Sequence, residues 1–188
     1  MRTVVASVEG EFRRYKAIAE GAFAQLQDGE LSAPRAGAAD GTASENDNSV
    51  AVIVWHISGN LVSRFTEFLT SDGEKPWRHR DEEFVAREVS RHELVEKWER
   101  GWSVLFATLG TLTDEQLSHV VHIRRQPLPV VESLHRALAH VAYHVGQIVL
   151  IAKTARGGAW RSLSIPLGQS EQYTHAPVKD KPASALEK

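Results

Sequence analysis

Cysteine is absent from the 188 residues, which removes disulfides, thiolate nucleophiles and sulfur metal ligands together. Any metal must then be held by nitrogen and oxygen, and any thiol chemistry must draw its sulfur from a substrate. Long apolar runs are also missing. None approaches the roughly 20 residues that a membrane span needs, and MRTVVASVEGEFRRYK lacks the long apolar core of a secretory signal. Nor is there an excess of one charge: the formal net charge is −2, with acids and bases interspersed, unlike the concentrated basic footprint of a nucleic-acid binder. Arg78-His79-Arg80 and Arg124-Arg125 are short clusters and read as solvated loop charge. The expectation is a cytoplasmic protein with neither membrane nor nucleic acid as partner.

What is present is a large supply of apolar residues, 42% of the chain, enough for one domain with a substantial core. A single domain over residues 1–176 is expected, with a flexible polar tail over 177–188. Phe12, Tyr15, Ala19, Ala22 and Leu26 recur at helical steps, so a helix is predicted from about Glu9 to Gln27 and stopped by Asp28-Gly29. SAPRAGAADGTASENDN has little to bury and reads as a mobile connection. Asn48 or Ser49 can cap a second helix, and Ser90 to Glu93 has capping-box form ahead of Leu94, Trp98, Trp102, Leu105 and Leu109. A fourth helix is predicted over 130–153, and VVHIRRQ before two prolines looks extended. Together these elements predict an all-α fold, a four-helix bundle with long connections.

The chemistry concentrates on histidine. His140 and His144 lie four residues apart in LAHVAYHVGQIVLIAK, on one helical face, and His56 sits inside the apolar run SVAVIVWHISGNLV. Convergence of the three would make an open His₃ centre with at least one position left for water or substrate. The plainer alternatives are a surface or capping pair at 140 and 144, and a core histidine at 56 bonded to a carbonyl. Zinc fits imidazole best, with nickel, iron or copper also compatible. Such an ion lowers the pKa of a bound water or thiol, opening hydrolysis or thiol transfer.

Asn60 and Gln147, each about one turn from a histidine, are candidates to orient an imidazole or bind substrate; Tyr143 and Arg136 lie nearby. No carboxylate shares the histidine stripe, so no catalytic base is assigned. The charged loop TSDGEKPWRHRDEEF begins fourteen residues after His56, roughly 20 Å along the helix, and is expected to be a solvated connection. His119 and His122 form a weaker ligand pair in extended chain, and His79, His92, His135 and His175 read as exposed. Ser164 to Ser170, with its apolar pair Ile165 and Leu167, is expected to fold back along the helices.

The helical histidine followed by HxxxHxGQI resembles the DinB-like superfamily of metal-binding four-helix bundles. NSVAVIVWHISGNLVSRFTEFLTSDGEKPWRHRDEEF and SIPLGQSEQY resemble one poorly characterised branch of it. The resemblance implies a divalent metal on His56, His140 and His144, often in a homodimer. It also implies a metal-dependent thiol S-transferase whose partners are a small-molecule substrate and a low-molecular-weight thiol. A metal-dependent hydrolase and a non-catalytic metal or small-ligand binding protein are the alternatives.

Overall fold

The computed structural model of the protein describes residues 1–33 and 48–177. Most of the expected mobile connection and nearly all of the expected tail lie outside these residues. The described chain is mostly helical: α1 (Thr3–Phe23), α2 (Asp28–Ser32), α3 (Val50–Phe65), α4 (Arg91–Thr111), α5 (Val130–Arg156) and α6 (Ser170–Thr174). One small antiparallel hairpin, β1 (Val120–Ile123) with β2 (Gln126–Pro129), interrupts them. Among the described residues no helix is long and apolar enough to cross a membrane.

Local signals account for most helix boundaries. Ser49 Oγ accepts from the Val52 amide at 3.2 Å and starts α3. Ser90 and Glu93 cap each other at the start of α4, and Gly157, with φ +49°, follows the end of α5. The start of α1 differs from expectation because its cap is distant in sequence. Asp114 Oδ1 accepts from the Val4 and Val5 amides at 3.1 Å each, while Arg2 donates to the Leu109 and Leu112 carbonyls at the end of α4. One exchange thus satisfies orphan groups on two helices. Asp28-Gly29 does not end the helical path as expected; after a break at Ala24, α2 begins at Asp28, with Gln27 and Glu30 forming a reciprocal cap.

The four long helices share one core. Phe12, Ile53, Ile57, Leu61, Trp98, Trp102, Leu105, Leu134, Val141 and Ile148 are all fully buried. Trp102 meets Phe12 and Trp98 edge-on, with ring centroids 6.3 and 5.2 Å apart. α3 packs along α4 and also touches α5, which lies against α1. The α3–α4 approach is close because residue 101 is glycine: a Cβ there would lie 2.7 Å from Ser58 Cα. This arrangement places His56 of α3 against His140 and His144 of α5.

The loop after α3 corrects the expectation of a solvated connection. It leaves the helix end, then returns along α3 through a 3-10 turn at Arg80–Phe84. Helical rise fixed only where the loop departs, not where it goes. The segment after α5 corrects the opposite expectation. Leu163 packs against the core beside Gly21, but Ile165 is 37% exposed and Leu167 fully so. Among the described residues Leu167 is left uncovered and Ile165 is only partly covered, so the apolar pair does not dock as a unit.

Candidate metal centre

His56 is held on α3 with 4% exposure, and His140 and His144 project from successive turns of α5. The ring centroids are 5.1 Å apart for His56 and His140, 4.8 Å for His56 and His144, and 4.6 Å for His140 and His144. One nitrogen from each ring lies within 4.8 Å of the others, so the three could hold a metal ion.

The hydrogen bonds around the rings suit that role. His56 Nδ1 lies 2.9 Å from Glu83 Oε2. A carboxylate can only accept, so a proton sits on Nδ1, and in the neutral ring Nε2 is then the lone-pair donor. His144 Nδ1 likewise lies 2.7 Å from Gln147 Oε1, and the Gln147 amide nitrogen donates to Tyr143 Oη at 3.4 Å. Anchoring one ring nitrogen to an acceptor is how proteins fix the tautomer of metal-binding histidines. His56 Nε2 and His140 Nε2 face each other at 3.1 Å, a contact that needs a proton or a cation between the lone pairs. His140 Nδ1 is buried without a hydrogen-bond partner, so nothing on the described protein fixes that ring's tautomer.

Electrostatics keep the α5 histidines uncharged. Burial pushes His140 down to about 3, helped by the like charges that His144, His56, Arg78 and Arg64 would present. Burial also lowers His144 to about 4, against the upward pull of its bond to Gln147. Neutral imidazole is the form that binds metal.

Glu83 and Arg78 are the residues that sequence reasoning missed. Burial pushes the Glu83 carboxyl upward, but hydrogen bonds from His56 and Arg78 and the Arg78 charge outweigh it and hold the group below its usual value. Arg78 Nε donates to Glu83 Oε1 at 2.8 Å and Arg78 Nη2 to Oε2 at 2.9 Å, with side-chain exposures of 3% and 9%. Gly59 makes the room, since a Cβ there would sit 2.1 Å from Glu83 Oε1. That glycine, one turn beyond a buried histidine, was the available signal. Phe84 lies against His56, ring centroids 4.6 Å apart, from the same turn. The reading of Arg78-His79-Arg80 as wholly solvated is therefore corrected at Arg78.

The other expected residues fall as follows. Gln147 reaches His144, as above. Asn60 is half-buried and lines a cavity beside His56 and His140, its side chain making no hydrogen bond to the described residues. Arg136 lines the same cavity from α5. His119 precedes β1 and His122 lies in it, both exposed and apart from the cluster; His79, His92, His135 and His175 are exposed too.

Fold and site define a mostly helical protein with a three-histidine cluster able to hold a metal ion, its His56 backed by a buried carboxylate. Residues 2–169 match the family described as "Protein of unknown function (DUF1572)", and the chain belongs to that family. No curated protein and no solved structure gives a match.

Proposed function

We propose that this chain is a DinB-like four-helix bundle that binds a divalent metal, zinc first among the candidates, through His56, His140 and His144, and uses it as a metal-dependent thiol S-transferase. The observation that carries the metal reading is the pair of anchored tautomers: Glu83 and Gln147 each hold a proton on Nδ1, leaving His56 Nε2 and His144 Nε2 as lone-pair donors. A bound divalent ion supplies Lewis acidity and lowers the pKa of a coordinated thiol. Glu83 orients His56 and increases its basicity through the Nδ1 proton. Arg78 keeps Glu83 ionised. His56 and His140 also line the open cavity, which favours a site reached by substrate over an ion enclosed for structure alone. Because the chain has no cysteine, the thiol comes from a small molecule.

Elemental analysis of the purified chain, followed by conjugation assays of low-molecular-weight thiols with varied electrophiles, tests this reading. One equivalent of metal and metal-dependent thiol consumption are expected, both lost in His144→Ala. Stoichiometric metal without thiol consumption would move the assignment to hydrolysis or to a binding role. Absence of metal uptake would refute it.

A further inference from the structure

The cavity beside the histidines has a volume of about 320 Å³ and is lined by five arginines, Arg64, Arg78, Arg80, Arg124 and Arg136, with no carboxylate in its wall. They come from α3, the returning loop, the β1–β2 turn and α5, so their convergence is a property of the fold and not of one charged segment. Two of the five are tied to each other's neighbourhood by Glu74. Arg124 Nε donates to Glu74 Oε2 at 3.0 Å, and Arg64 Nη1 lies 3.2 Å from the same oxygen. The latter contact is an ion pair without hydrogen-bond geometry, leaving Arg64 Nη1 buried and unsatisfied. Arg78 is occupied by Glu83. Arg80 lies over the Phe84 ring at 4.8 Å, and its ion-pair partner among the described residues is the fully exposed Asp81, at 3.6 Å. Arg136 has no ion-pair partner among the described residues.

The turn that delivers Arg124 is unusual in its backbone. Arg124 and Arg125 both take positive φ, 53° and 62°, at the two central positions of a hairpin where Asn-Gly is the favoured pair. Asp72 compensates by accepting from both amides, at 2.8 and 2.7 Å. Arginine is thus kept where glycine would be easier, with its side chain at the cavity.

Excess guanidinium charge in a concave site attracts anions, and the planar fork of arginine matches carboxylate and phosphate oxygens. We propose that this cavity binds the oxyanionic group of the substrate, a carboxylate or a phosphate, and so presents the rest of the molecule to the histidine cluster. Its role as a substrate pocket rests on the metal reading above; its affinity for oxyanions does not. Arg136 and Arg80, the two least engaged by carboxylates, are the binding residues, with Arg124 adding charge from the turn and Asn60 and Ser133 supplying uncharged polar groups on the same wall.

Calorimetric titration of the full chain with inorganic phosphate and with succinate tests the proposal, using succinamide as the uncharged control and both metal-free and zinc-loaded protein. Saturable binding of phosphate or succinate is expected, and the stronger of the two identifies the oxyanion. Arg136→Gln is expected to weaken it about 10-fold or more, the loss of one charge-assisted contact, whereas Arg161→Gln, outside the cavity, leaves it unchanged. Arg136 is exposed, so its replacement leaves the fold intact, and circular dichroism checks that. Metal content is read on the same samples. One equivalent of zinc with no oxyanion binding, or binding equal in Arg136→Gln and Arg161→Gln, overturns the proposal and leaves the metal reading standing. Oxyanion binding without zinc uptake upholds the anion-binding cavity and removes the metal reading.

Discussion

The loop from Thr66 to Val89 and the segment from Trp160 to Pro177 both run mostly outside the long helices, yet they treat their side chains in opposite ways. The first is crowded with charge and buries Arg78, Glu83 and Lys75; the second leaves Leu167 fully in solvent, with Ile165 partly exposed near it. Polarity alone therefore does not say whether a segment is solvated. Charged groups enter the interior when partners satisfy them, as His56 and Arg78 satisfy Glu83. Apolar groups stay outside when no groove is offered.

Breaking the buried pair should produce the largest effect. Glu83→Ala leaves Arg78 charged and unpartnered, and urea unfolding should show a loss of about 3–5 kcal/mol. A loss no larger than that of a surface substitution would mean that the loop is not anchored there. Gly59→Ala attacks the same contact from the helix side by forcing Glu83 away from its notch. About 1–3 kcal/mol is expected from overpacking, together with weaker zinc binding as His56 loses its anchor, measured by competition with a chelator. Asp72→Ala removes the acceptor of two turn amides. The site is partly solvated, so a cost of about 1 kcal/mol is expected, with most of it recovered when Arg124→Gly relieves the backbone. At the other extreme, Leu167→Ser should change stability by less than about 0.5 kcal/mol, as for other exposed positions. A loss well above that would show that the second segment is docked after all.

The helical histidines were legible because 3.6-residue periodicity places His140 and His144 on one face without reference to the rest of the chain. The caps at Ser49 and Ser90 were legible for the same reason: each donor and acceptor lies within four residues. What escaped was set by contacts between distant segments. Asp114 begins α1 across more than a hundred residues, Glu83 reaches His56 only because the loop reverses, and five arginines meet from four separate elements. Residue type did leave one trace of this, since Gly59 is small where Glu83 must fit. The mostly helical class was thus readable from local pattern, while the paths of the connections and the polar surroundings of the histidines were not.

X-ray absorption at the zinc edge, on the full chain loaded with one equivalent of zinc, tests the account most directly. Three imidazole nitrogens at about 2.0–2.1 Å with a lighter exchangeable ligand are expected, and the imidazole scattering should be lost when His56, His140 and His144 are all replaced by alanine. A spectrum dominated by oxygen ligands, or one unchanged by the triple replacement, would place the metal elsewhere and contradict the assignment of these three histidines as its ligands.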